Sequence, residues 1–179
     1  TIAALLRVLL ALIHRAVNGP KTASEWKALY AAKCFPEEII IPYLQSVHDR
    51  FDLFSEPWPF YQCAGLTNLD ANKKPAPVSI AAIMLERASG NNKTVFDHTT
   101  DNTTLALTPA EAARSLITTQ MFSLGGLNKK TTNWFDYQQS YFNASLVSGI
   151  FIALTGESLF ETLMLNLLLP ENHRIPVNG

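Results

Sequence analysis

The stretch from Ile2 to Ile13 constrains the fold most. Ile2, Leu5, Leu6, Leu9, Leu10 and Ile13 fall at i, i+3, i+4, i+7, i+8 and i+11, one face of an α-helix. Val8 and Leu12 widen that face, leaving a polar stripe no broader than Arg7, His14 and Asn18. A helix this apolar is buried on most sides, so the chain must pack around it. It is short for a membrane span and carries Arg7 near its middle. It also lacks the basic leader and cleavage site of a signal peptide. Asn18-Gly19-Pro20 should stop it, with His14 and Arg15 complementing the negative end of the helix dipole.

Start signals mark the other helices. Thr22-Ala-Ser-Glu25 and Ser158-Leu-Phe-Glu161 read as capping boxes, as does Thr108-Pro109-Ala110-Glu111, which adds proline at the first helical position. The helix after Thr108 is expected to run toward Leu124 and end at Gly125-Gly126. The one after Ser158 is strongly apolar and should end at Pro170. Phe35-Pro36-Glu37-Glu38 opens a helix striped with Ile39, Ile40, Tyr43, Leu44 and Val47, although Pro42 pulls the expected start toward itself. Val78 to Arg87 is a periodic apolar segment that Gly90 could end in the left-handed region.

Ser148 to Leu154 is rich in apolar residues and predicts a short buried strand. The aromatics of residues 51–61 lie around Pro57 and Pro59, which exclude a helix; they could form a base-stacking platform, but core packing is the expectation. Residues 67–77 read as a polar turn region with Lys73 and Lys74 exposed. Residues 134–142 show no clear period and receive no assignment.

The length of 179 residues suits one domain. A net charge of −1 excludes a generally basic nucleic-acid binder, so any phosphate contact must come from local patches. Cys34 and Cys63 have no metal-ligand spacing and neither do the histidines, so small buried thiols in a reduced, cytoplasmic protein are expected. The sequons at Asn92, Asn102 and Asn143 do not by themselves indicate secretion. No GxSxG, HExxH, Walker or dinucleotide motif occurs. Asp97-His98 lacks a second ligand at helical spacing. The expectation is a protein that is not an enzyme, with no metal and no cofactor.

Two polar segments stand out. Ser89-Gly-Asn-Asn-Lys-Thr-Val-Phe-Asp-His98 gathers amides, a cation, an aromatic, a carboxylate and an imidazole with little to anchor them. Such loops often carry binding, and the plain alternative is a solvated connection. Leu124-Gly-Gly-Leu-Asn-Lys-Lys130 sets two glycines before two cations, which suits either a helix cap or close approach to phosphate.

Four stretches, read in order and at their intervals, resemble the large subunit (CasA-type) of the type I-E CRISPR surveillance complex, Cascade. They are Asp49-Arg-Phe-Asp-Leu-Phe54 with Pro59-Phe-Tyr-Gln62, the 89–98 segment, Ser123-Leu-Gly-Gly-Leu-Asn128, and Glu157-Ser-Leu-Phe-Glu-Thr-Leu-Met-Leu-Asn166. The resemblance covers nearly the whole chain. It implies an α+β, predominantly helical fold with a few short strands, part of the globular N-terminal domain of such a subunit. Residues 1–179 would then be a single domain. They would be a fragment of a larger chain, lacking its start and its C-terminal helical bundle.

The same resemblance implies a non-catalytic subunit that helps recognise the protospacer-adjacent motif (PAM) on double-stranded DNA and recruit the helicase–nuclease. Its partners would be the other Cascade subunits, CRISPR RNA and the target duplex, with no membrane. Asn91, Asn92, Lys93, Phe96, Asp97 and His98 would meet DNA near the PAM and the guide's 5′ end. Gly125, Gly126, Asn128, Lys129 and Lys130 would approach the PAM minor groove. Amides suit minor-groove readout, lysines suit phosphates, and Phe96 suits stacking on an opened base. Asp97 departs from the Asn of some family members, and a carboxylate repels phosphate. A scaffold or protein-interaction domain without nucleic-acid contact is the alternative.

Overall fold

The computed structural model describes residues 1–89, 95–97, 104–128, 131–134 and 139–169. In chain order the helices are α1 (Ile2–Ala16), α2 (Ala23–Ala31), α3 (Glu37–Ser46), α4 (Pro109–Phe122) and α5 (Leu159–Asn166). The strands are β1 (Asn68–Leu69), β2 (Gly126–Asn128), β3 (Thr131–Thr132) and β4 (Gln139–Tyr141). The fold is α+β and predominantly helical, as expected. Among the described residues no helix is long and apolar enough to cross a membrane. The chain divides into two compact units, one of residues 2–48 and 151–179 and the other of residues 49–150 with Thr1.

In the first unit α1 and α5 supply the core. Leu6 and Ile13 bury against Leu163, Met164 and Leu167, with Trp26, Tyr30, Phe35 and Phe160 packed around them. The α1 stop is built as expected: Asn18 and Gly19 both take left-handed φ, and the Gly19 N–H donates to the His14 carbonyl at 2.8 Å. A Cβ on Gly19 would lie 2.6 Å from the His14 ring, so the position also requires glycine sterically. Tyr30 stacks on Trp26 with centroids 5.1 Å apart and meets Phe160 at 6.5 Å, tying α2 to α5, while Phe35, between α2 and α3, lies 4.9 Å from Phe160.

Two capping boxes differ from expectation in one detail. Thr22 and Ser158 accept the N–H of Glu25 and Glu161 as N-caps do. The glutamates, however, accept from the residue before the cap, Lys21 at 2.7 Å and Glu157 at 2.9 Å. α3 starts at Glu37 with Pro36 as its cap residue, and Pro42 lies inside it. The start is therefore not displaced toward Pro42, whose missing N–H costs one bond near the helix start. α5 ends at Asn166, before Pro170.

The predicted strand at 148–154 is absent. Ile150 is 91% exposed, and the backbone of Leu154 is satisfied by a side chain instead of a neighbouring strand. Asn166 accepts the Leu154 N–H at 3.0 Å and donates to its carbonyl at 2.7 Å.

In the second unit β1 pairs antiparallel with β3, and β2 with β4. The Asn133 side chain extends the first pair, accepting the Thr67 N–H and donating to the Gly65 carbonyl, both at 2.7 Å. Residues 78–87 contain only a 3₁₀ turn, Ile80–Ile83, capped by Ser79 and ended by extended Met84. The helix expected there does not form, and Gly90 lies outside the described residues. The aromatic segment is not core either. Phe54 is 75% and Trp58 57% exposed, because local bonds from Phe60 N to the Asp52 carbonyl and from Gln62 Nε2 to the Leu53 carbonyl hold the backbone without burying the rings. Cys34 and Cys63 are exposed thiols, contrary to the buried pair expected.

Candidate nucleic-acid interface

Both candidate segments spring from α4. This helix has a complete capping box: Thr108 Oγ1 accepts the Glu111 N–H, and Glu111 accepts the Thr108 N–H at 2.8 Å. Those bonds, led by the backbone donor, hold the Glu111 carboxyl below its ordinary value, with Arg114 adding to them. Farther along, the Thr119 hydroxyl donates to the Ile83 carbonyl at 2.8 Å, fastening residues 80–87 to the helix. The next turn continues to Ser123, whose carbonyl accepts the Ala144 N–H at 2.9 Å, and thence to Gly125 and β2.

The first segment leaves this scaffold at Arg87 and Ala88. Its return is marked by Asp97, whose Oδ2 accepts the Ala88 N–H at 2.7 Å and whose Oδ1 lies 3.6 Å from Arg87 Nη1. Immediately before it, Phe96 is 94% exposed and Val95 is exposed as well. The ring is thus almost fully hydrated at a position next to a bonded carboxylate. Asn91, Asn92, Lys93 and His98 lie outside the described residues.

The second segment separates the two glycines. Gly125 is required by the fold: a Cβ there would sit 2.6 Å from the Tyr141 carbonyl oxygen and 2.7 Å from the Asn143 nitrogen. Its N–H donates to Asn143 Oδ1 at 2.7 Å. Gly126 faces open space, and its φ is not in the left-handed region. Nothing inside the described protein demands glycine at Gly126. Gly149 is equally open, so space alone does not mark a contact. What distinguishes Gly126 is that it opens β2, which runs through Asn128 toward Lys129 and Lys130. Gly126 thus opens a strand with Gly125 just before it, and neither caps α4, whose cap residue is extended Ser123. Asn128 is paired with Gln139 through the β2–β4 register, and Lys129 and Lys130 lie outside the described residues.

Sequence reasoning missed the supports: Thr119, Arg87 and Asn143. Each acts through a bond across 10 to 36 residues, which no periodic pattern announces.

The predominantly helical α+β fold is similar to that of solved CRISPR-associated proteins. The crystal structure of Cse1 from Acidimicrobium ferrooxidans matches with a TM-score of 0.72 and 32% identity, over 93% of this chain and 30% of that one. Thermus thermophilus CasA (Cse1) matches with a TM-score of 0.66 and 30% identity, over 95% of this chain and 32% of that one. The chain belongs to the CRISPR-associated protein Cse1 family, whose model matches residues 2–177. A curated relative, the CRISPR-associated protein CasA/Cse1 of Thermus thermophilus, is 38% identical over 166 residues, 93% of this chain and 31% of the relative. The chain therefore spans about a third of the length of these relatives.

Proposed function

We propose that this chain is part of a non-catalytic large subunit of a type I-E Cascade surveillance complex, working in the cytoplasm with CRISPR RNA and the other Cascade subunits. In this reading it helps recognise the PAM on double-stranded target DNA and helps recruit the helicase–nuclease. The observation that carries it is Phe96, presented to solvent from a loop with a fastened base, in a chain of the Cse1 family. Guide pairing would read the sequence, and the protein would check the adjacent duplex.

The roles divide by chemistry. Asn91, Asn92 and Asn128 offer amide groups to base edges, Gly126 lets backbone approach a narrow groove, and Phe96 wedges beside an opened step. Lys93, Lys129 and Lys130 neutralise phosphates, and His98 adds a further donor. The test is duplex binding by the complex assembled on the full-length protein, with Asn91→Ala and Lys93→Ala. Weakened, PAM-indifferent binding supports the reading. Unchanged binding removes it.

A protein-binding role without DNA contact has one observation in its favour. Arg50 lies 4.0 Å from the ring centroid of Trp58, in a shallow cleft shared with Trp134, and both tryptophans are exposed. Such rings with a stacked cation suit a partner surface. If that role were the whole function, substitutions at Trp58 would disrupt assembly while those at Asn91 and Lys93 would be silent.

A further inference from the structure

We infer that Asp97 is a positioning residue and not a DNA contact: its carboxylate closes the base of the 88–97 loop and thereby sets Phe96 outward. The inference rests on the DNA-facing reading of that loop and assigns one of its residues a different task.

Three observations carry it. The Asp97 side chain is only 12% exposed, so its oxygens face the protein and not a phosphate. Oδ2 accepts the Ala88 N–H at 2.7 Å, a charge-assisted bond of good length that joins the two ends of the loop. Oδ1 faces the half-exposed Arg87 guanidinium at 3.6 Å, so the acid's charge is offset beside the place where DNA would lie.

The fastening continues inward. Arg87 N donates to the Met84 carbonyl at 2.9 Å, and Ile83 accepts from Thr119 of α4 at 2.8 Å. A line of bonds thus runs from the last turn of α4 to Asp97. Beside the inward Asp97, Phe96 is 94% exposed. Asparagine could accept the Ala88 N–H through its own oxygen, so the latch needs an acceptor first and a charge second.

The test uses the full-length protein in its assembled complex, with hydrogen exchange at the Ala88 amide and PAM-duplex binding measured side by side. Asp97→Ala should speed Ala88 exchange and weaken duplex binding, each by about tenfold. Asp97→Asn should keep most of both. Phe96→Ala should weaken binding while leaving Ala88 exchange unchanged. Unaltered exchange in Asp97→Ala would overturn the latch. So would tighter duplex binding by both Asp97 variants without a change in exchange, which would mark the carboxylate as a direct, repulsive contact. If Phe96→Ala binds normally, the DNA reading fails, and Ala88 exchange still decides the latch.

Discussion

Trp26 donates its indole N–H to the carbonyl oxygen of Met164 at 3.1 Å and shares it with the carbonyl of Leu167 at the same distance. Both carbonyls lie at the C-terminal end of α5, and that of Met164 also accepts the Leu167 N–H at 3.2 Å. One aromatic side chain on α2 therefore supplies both core area and a C-terminal cap for the helix it packs against.

Trp26→Phe separates those contributions. It keeps most of the ring area but removes the indole donor shared by the Met164 and Leu167 carbonyls, and should lower stability by about 1–2 kcal/mol. Thermal unfolding of the full-length protein reads this. A change within experimental scatter would mean that water replaces the indole.

The paired glycines make opposite predictions. Gly125→Ala places a Cβ against the backbone of residues 141–143 and should destabilise the β2–β4 pair, by about 2 kcal/mol or more. Gly126→Ala meets nothing within 4 Å, so its effect on stability should stay within about 0.5 kcal/mol. If Gly126 approaches the minor groove, the same substitution should nonetheless weaken PAM-duplex binding. Unfolding curves and duplex titrations of both variants check the pair.

The capping box of α4 carries a pH dependence. Glu111 is ionised more readily in the folded protein because it accepts the Thr108 N–H, then the hydroxyl. A depressed folded pKa gives stability that is fully present above the ordinary value of 4.5 and is lost as pH falls through the lowered one. Glu111→Gln should flatten that part of the acid limb, while Thr108→Ser should keep it. Unfolding midpoints taken between about pH 6 and pH 3 read the difference.

Much of this architecture was legible because it is local. The α1 helix with Leu6 and Ile13 in the core, its stop at Asn18-Gly19 and the caps at Thr22, Thr108 and Ser158 depend on residues a few positions apart, and all appear, although Ile2, expected on the same face, is 85% exposed. What failed depends on distant partners. Ser148 to Leu154 has a strand's composition, yet Asn166 occupies the backbone of Leu154 that a neighbouring strand would have taken. Phe54 and Trp58 have a core's composition, but their prolines and local bonds settle the backbone with the rings outside. β1 and β3 are two residues each and meet across more than 60 positions, a pairing no alternation could signal. At the candidate site, the sequence singled out Phe96 and the glycines as unusual. The Arg87–Asp97 base was invisible, because two charges ten apart imply no contact until a loop folds back between them.

The lysines of the proposed interface make a salt prediction. If Lys129 and Lys130 each neutralise a phosphate, replacing either by Ala should reduce the slope of log K against log salt by about 0.9. The preference for a PAM-bearing duplex should change little, because phosphate contacts position the protein without reading sequence. Titrations at several salt concentrations measure both.

The most direct test of the central claim is duplex binding by a complex reconstituted with guide RNA, the other subunits and the full-length protein. The wild type is compared with the Asn91→Ala, Lys93→Ala double variant on targets with and without a PAM. The account predicts normal incorporation of the variant and loss of the PAM preference. A variant that incorporates normally and still prefers the PAM-bearing duplex to the same degree would contradict it.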